Sequence, residues 1–332
     1  MTPLAILGGG SWGTALAIAL APRFEAVRLW VYEADLAERM AASRVNDVYL
    51  PGFRLPGNVR VTAAQEEALG GAGVVLSVLP SQHVRRVITE SLPYLRPDAV
   101  FVTATKGLEA GTLLRMTEVI GDAVGSRCPA PRVAALSGPT FAKEVARGEP
   151  AAIVIASQDG ALAAAIQSAF SGPTLRLYTN GDPVGVELAA ALKNVIAIAA
   201  GVCQGLELGS NARAALITRG LAEITRLAVA AGGRPLTLAG LAGLGDLVLT
   251  CTGELSRNRQ VGIELGRGRR IEEIVASMRM VAEGVKTTES ALALAARHGV
   301  ELPITEQVQA IFGGRPPREA LRELMERSLK GE

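Results

Sequence analysis

Hydrophobic and polar positions alternate on two different rhythms in the two halves of the chain. In the first half, short apolar runs recur at Pro3–Leu7, Val27–Val31, Ala72–Leu79, Val100–Ala104, Val133–Leu136, Ala151–Ala156 and Leu175–Tyr178. Runs this short, separated by segments with helical spacing, predict buried strands joined by helices, and so a parallel sheet in an α/β domain. After Val184 the strand signals vanish. Gly and Pro then punctuate helical segments at Asn211–Ala231, Glu264–Gly266, Ile271–Ser277, Thr288–His298, Ile304–Phe312 and Pro317–Leu329. The predicted division is a sheet-containing domain over residues 1–185 and an all-helical domain over 186–332, which suits a chain of 332 residues.

One helix stands apart. Val184 to Gly205 is apolar on nearly every side, so it predicts a buried helix, yet it carries Lys193 and Asn194. A buried ammonium must be paired, hydrogen-bonded or neutralised. Two roles fit Lys193: its methylene stem carries the charge out to water, or it is an acid or base in a cleft.

Composition removes several classes of function. A net charge of +2 provides no field for nucleic acid, so recognition of an anion must be local. Cys128, Cys203 and Cys251 are odd in number and lack C-x-x-C spacing, which fits a reduced cytoplasm and neither a disulfide framework nor a zinc site. No metal site is expected. The first twenty residues lack a basic start and contain Gly8, Gly9, Gly10 and Gly13, against a signal peptide. The longest apolar stretch is interrupted by Lys193 and Asn194, so no membrane span is expected.

The glycines at the first strand–helix junction are the clearest chemical signal. Gly8, Gly10 and Gly13 form G-x-G-x-x-G after a strand pattern, before an alanine-rich helix, with a second strand pattern following. That context fits a Rossmann-like dinucleotide site, in which the glycines admit a pyrophosphate to the helix N-terminus; a tight structural turn is the other reading. Ser11 and Trp12 fill the variable positions and are expected against the cofactor. Glu33, at the end of the second strand, is placed to accept from the ribose 2′-hydroxyl of NAD and to repel the 2′-phosphate of NADP, or else is a solvated loop acid that Tyr32 or Arg28 reshapes. Further strand ends deliver Lys106 and the segment Ser137–Ala142, where Gly138 permits close approach and Thr140 offers a hydroxyl.

In the second half, Asp246 lies between glycines and an apolar segment, suited to orienting a cation. Ser256 is a predicted N-cap with Arg257 and Asn258 in the first turn, where free N–H groups, a guanidinium and an amide suit a phosphate; an ordinary exposed helix start has the same residues. His83 and His298 are the only histidines and are poor rivals to lysine for proton transfer.

GGGSWGTALA, TKGLE, SGPTFAKEV, ALKNVIAIAAG, NARAALITRG, GLGDLVLTCTGELSRNRQVG and VAEGV together resemble the bacterial NAD(P)-dependent glycerol-3-phosphate dehydrogenase family over essentially the whole chain. The resemblance implies cofactor roles for Ser11, Trp12, Lys106, Ala142, Arg257, Val281 and Glu283. It implies substrate contacts from Lys106, Gly138, Thr140, Lys193, Asp246, Ser256, Arg257 and Asn258, with Lys193 as proton acceptor and Asn194 beside it. The implied reaction is reversible hydride transfer between NAD or NADP and glycerol 3-phosphate or dihydroxyacetone phosphate, supplying glycerol 3-phosphate for phospholipid synthesis. Tyr32 stands where many relatives carry a basic residue, which with Glu33 leans the expectation to NAD; Thr140 replaces a common serine, and Ser210 a frequent acid. A lysine base needs its pKa brought well below the usual ~10.4. Burial and a nearby Lys106 push that way, while Asp246 opposes the shift and orients the amine. A hydroxyacid dehydrogenase of similar build and an NAD(H)-sensing module without turnover are the rival readings, and the apolar helical half suits a homodimer.

Overall fold

The computed structural model describes residues 3–278 and 282–329. Among them, those up to Glu109 and Leu114–Pro183 form one compact unit; Ala110–Leu113 and those from Val184 onward form the other.

The first unit holds ten strands: β1 (Leu4–Leu7), β2 (Val27–Trp30), β3 (Val45–Asn46), β4 (Leu50–Arg54), β5 (Val59–Thr62), β6 (Val74–Ser77), β7 (Val100–Thr103), β8 (Arg132–Ser137), β9 (Ala151–Ala156) and β10 (Leu175–Asn180). Eight build one sheet in the order β10-β9-β8-β7-β6-β1-β2-β5, and β3 and β4 make a separate hairpin. Its helices are α1 (Ser11–Leu20), α2 (Ala34–Ser43), α3 (Gln65–Leu69), α4 (Val84–Ser91), α5 (Met116–Val124), α6 (Ala142–Ala146) and α7 (Gly160–Phe170). Successive strand side chains face opposite ways, and both faces are covered: Leu4 and Ile6 join one core with Leu16 and Phe170, while Ala5 and Leu7 join another with Phe101 and Ile120. Burial on both faces is why these strands read as unbroken apolar runs.

The sheet departs from the expected all-parallel arrangement at one place. β9 runs antiparallel to β8, pairing Ala135 with Ala156, and β10 then lies parallel to β9. A parallel return needs a long crossover, but the link between β8 and β9 carries only the short α6. Two features were absent from the sequence expectation. β5 is an edge strand whose Arg60 is exposed, and β4 contains Pro51 and Gly52, so neither stretch reads as an apolar run.

The regular elements of the second unit, among the described residues, are all helices: α8 (Pro183–Gly205), α9 (Ser210–Ala230), α10 (Pro235–Leu238), α11 (Asp246–Thr252), α12 (Arg257–Gly266), α13 (Ile271–Ser277), α14 (Glu283–His298), α15 (Pro303–Phe312) and α16 (Pro317–Met325). A π-helical turn at Leu241–Gly245 runs directly into α11. α14 begins at Glu283 rather than Thr288, and α12 is a full helix of which the apolar pattern marked only the end.

α8 and α12 meet through glycines spaced four apart on each helix, Gly201 and Gly205 against Gly262 and Gly266. A Cβ on Gly201 would lie 2.0 Å from the Arg259 carbonyl oxygen, and one on Gly262 1.9 Å from that of Ile198. The two backbones are therefore in direct contact. By length and composition alone α8 and the segment Pro235–Thr252 are apolar enough to cross a membrane, although Lys193 and Asn194 interrupt α8 as expected. The apolar window of α8 is wholly buried inside the protein, which is the behaviour of a core helix.

Glu223 ties α9 to α15. It is 1 % exposed, and its carboxylate accepts from the N–H groups of Ile304 and Thr305 at 2.8 and 3.0 Å and from the Thr305 hydroxyl at 2.7 Å. These are donors that the first turn of a helix leaves unpaired. Glu223→Ala strands all three, with an expected loss of about 3 kcal/mol in denaturant-induced unfolding.

Candidate active site

In the first unit the glycine motif forms the turn from β1 into α1. Gly8 adopts φ +120°, and a Cβ there would press on the Val78 carbonyl; a Cβ on Gly13 would lie 1.9 Å from the Gly8 carbonyl oxygen. Internal packing thus demands both glycines. Gly10 is different: nothing lies within 4 Å of the position its Cβ would take. The fold has no steric need for glycine there, whereas a pyrophosphate drawn against the backbone would have one. Gly10 is the N-cap of α1, so the N–H groups of the first turn are available to an anion beside it. The residues present therefore fit a dinucleotide. Ser11 and Trp12 open the helix half-buried, and Trp12 also packs against the core.

Glu33 follows β2 and accepts a 2.7 Å hydrogen bond from the Tyr49 hydroxyl, so it is not a freely solvated acid. Tyr32 is 64 % exposed, stands edge-on to Trp30, and carries the Arg86 guanidinium 5.5 Å from its ring centre. At the carboxyl ends of β7 and β8, Lys106 Nζ donates to the Gly138 carbonyl at 3.4 Å. Gly138 holds φ +152°, where a Cβ would meet Ile153 at 2.9 Å. The Thr140 hydroxyl donates to the same carbonyl at 3.2 Å, and Ala142 begins α6. Lys106, Gly138 and Thr140 are thus gathered at one edge of the sheet, where open α/β sheets bind ligands.

The second unit holds a buried charge cluster. Lys193 is 5 % and Asp246 0 % exposed. Lys193 Nζ donates to Asp246 Oδ1 at 2.6 Å and to the Thr250 hydroxyl, also at 2.6 Å. The single proton of that hydroxyl goes to the Asp246 backbone carbonyl, which leaves a lone pair facing the lysine. The ammonium is held inside the protein, so the reading in which Lys193 extends to water falls. Asn194, beside it on α8, is 6 % exposed. Burial penalises the charges, while the short ion pair compensates for their desolvation. The nearby Cys251 thiol is pushed up to about 12, mainly by burial.

Ser256 caps α12, its hydroxyl accepting from the Arg259 N–H at 3.3 Å. Arg257 is exposed in the first turn. The Asn258 carbonyl oxygen accepts from the Gly284 N–H at 3.0 Å, which aims its amide group and anchors the start of α14 next to Glu283. Val281 lies outside the described residues. Thr250 and Arg259 were not anticipated. Thr250 sits one helical turn beyond Asp246, a spacing that puts both on one face and could have signalled it. Arg259 is 7 % exposed, and its guanidinium donates to the Gly253 carbonyl at 3.3 Å. Cys128, Cys203 and Cys251 are buried and unpaired, and no cluster of metal-ligating side chains occurs among the described residues.

A mostly parallel sheet whose first strand–helix turn fits a dinucleotide, followed by a helical unit built around a buried lysine–aspartate pair, is the build of a nicotinamide-dependent oxidoreductase. Residues 3–163 match the NAD-dependent glycerol-3-phosphate dehydrogenase N-terminus family model, and residues 182–322 match its C-terminus model. A glycerol-3-phosphate dehydrogenase [NAD(P)+] from Koribacter versatilis is 60 % identical over 330 residues, covering 98 % of each chain. One from Geobacter sulfurreducens is 53 % identical, covering 99 % of this chain and 98 % of its own. The crystal structure of glycerol-3-phosphate dehydrogenase from Coxiella burnetii superposes with a TM-score of 0.93 at 43 % identity, covering 98 % of this chain and 99 % of that one. The chain belongs to the NAD(P)-dependent glycerol-3-phosphate dehydrogenase family.

Proposed function

We propose that this oxidoreductase interconverts glycerol 3-phosphate and dihydroxyacetone phosphate, with Lys193 as the group that takes or returns the proton at the C2 oxygen. The observation that carries this reading is the lysine itself: a cation within a hydrogen bond of Asp246 and Thr250, on a helix otherwise apolar. In the reducing direction the ammonium gives its proton to the ketone oxygen, and Asp246 stabilises it until then. In the oxidising direction the neutral amine accepts the proton, and the ammonium so formed returns to its hydrogen bond with Asp246. The bound nicotinamide supplies the hydride chemistry. Residues 1–185 bind the cofactor through Gly8, Gly10, Ser11, Trp12, Gly13, Glu33 and Lys106, and residues 186–332 carry the lysine. Ser256, Arg257 and Asn258 receive the phosphate, where each charge-assisted hydrogen bond contributes about 1.5–3 kcal/mol.

A preference for NAD, a cytoplasmic location, a homodimer and the use of the product in phospholipid synthesis belong to the same proposal. Support for the first is the Glu33 carboxylate held by Tyr49, since an acid there repels a 2′-phosphate.

Oxidation of NADH and of NADPH with dihydroxyacetone phosphate, set beside unphosphorylated dihydroxyacetone, tests the reading. Turnover that requires the phosphate supports it; equal rates with both ketones reject the phosphate seat. The glycines supply a companion test. Gly10→Ala should fold normally and weaken NADH binding about tenfold, because its methyl group enters space the protein leaves open. Gly13→Ala should instead lower the unfolding temperature of the cofactor-free protein, because its methyl group strikes the Gly8 carbonyl.

A further inference from the structure

The hairpin of β3 and β4 carries a polar chain that links the glycine turn to Glu33. Asn46 is 0 % exposed, and its amide nitrogen donates to the Gly9 carbonyl at 2.7 Å and to the Thr14 hydroxyl at 2.8 Å. Thr14, itself fully buried in α1, donates to the same Gly9 carbonyl at 3.3 Å. The Asn46 carbonyl oxygen accepts from the Tyr49 N–H at 2.9 Å, and the Tyr49 hydroxyl closes the chain on Glu33 Oε1 at 2.7 Å. A buried amide is costly unless satisfied. This one is satisfied by the glycine turn on one side and by the hairpin on the other.

We propose that the hairpin is a strap across the dinucleotide site: Asn46 fixes the glycine turn that receives the pyrophosphate, and Tyr49 fixes the carboxylate that meets the ribose, so that Tyr49 helps set the choice between NAD and NADP. The inference rests on the dinucleotide-site reading above. Glu33 is the N-cap of α2 and its side chain makes no capping bond, so without Tyr49 its carboxylate is released to swing through its rotamers. With Oε1 engaged, Oε2 remains to accept from a ribose hydroxyl, and the negative charge stays where a 2′-phosphate would have to enter. The bond to Glu33 pushes the tyrosine hydroxyl up to about 12, so it remains a donor throughout the working range of pH. Asn46 and Tyr49 act through other groups and are positioning residues.

The two arms of the strap make different demands, and that difference is the test. Equilibrium titration of the purified protein with NADH and NADPH, followed by nicotinamide fluorescence, is run on Tyr49→Phe, Asn46→Ala and Thr14→Val, with thermal unfolding of each cofactor-free variant alongside. Tyr49→Phe is expected to raise the Kd for NADH about fivefold and that for NADPH less than twofold. Asn46→Ala and Thr14→Val are expected to raise both alike, by about tenfold for the asparagine, because both cofactors share the pyrophosphate. If Asn46→Ala unfolds, Thr14→Val carries that arm. An unchanged ratio of the two Kd values in Tyr49→Phe overturns the inference while leaving the dinucleotide site intact. Failure of the unsubstituted protein to bind either cofactor overturns both.

Discussion

Lys193→Met is expected to lower turnover with dihydroxyacetone phosphate by about 10²–10⁴-fold, while NADH binding stays within about twofold of the unsubstituted protein. Methionine keeps the length and apolar stem of the side chain and removes the group proposed to move the proton. It also leaves the Asp246 carboxylate fully buried without its ammonium, which should cost about 3–5 kcal/mol of stability. Loss of activity alone would therefore be ambiguous. The double variant Lys193→Met with Asp246→Leu separates the causes: removal of both charges should restore most of the stability and none of the turnover. Steady-state rates, NADH titration and urea unfolding on the same three proteins decide it. Near-normal turnover in either variant would take the lysine out of the mechanism.

The second large effect is structural. Gly262→Ala places a methyl group 1.9 Å from the Ile198 carbonyl oxygen, against backbone that has no rotamer by which to yield. Overpacking of ordinary core positions costs about 1–3 kcal/mol, and a backbone collision exceeds that range. A fall of roughly 10 °C or more in the unfolding temperature is expected, with activity falling in proportion to folded protein. Gly160→Ala is the control. That glycine opens α7 with nothing within 4 Å of its Cβ position, so the change should leave stability within ~1 kcal/mol. Calorimetry that finds the two variants alike would contradict the close packing of α8 on α12.

What could be read from the residues divides along physical lines. The β strands of the sheet interior were legible because burial on both faces makes them apolar throughout, while β5, buried on one side only, and the β3–β4 hairpin, broken by Pro51 and Gly52, lacked that signal. The reversal at β9 was hidden because strand direction depends on the route of the connection, which the apolar pattern of the strand does not encode. Lys193 announced itself as a charge on an apolar helix, and Asp246 as an acid among glycines. Asp246 was named from the sequence as the group that orients the amine, and the structure pairs the two; Thr250, which reaches the lysine from the same helix as Asp246, was not legible. Glu33 was visible by its distance from the glycine turn; Tyr49, which holds it, was not, because the contact depends on how the hairpin folds over the sheet. The glycine pairs of α8 and α12 carry a recognisable four-residue spacing, but one helix alone does not reveal which surface will meet it.

The glycine contact also sets a dimension. α8 carries Lys193, α12 begins at Arg257 behind its cap Ser256, and where they cross there are no side chains to act as a compressible cushion between the two axes. The helical unit therefore behaves as a caliper whose jaws are cast in one piece. On the proposed reading, with the phosphate at one jaw and the carbonyl at the other, that fixed span is expected to select substrates by the number of bonds between the two groups, so homologues with one carbon more or fewer should turn over poorly whatever their charge or polarity.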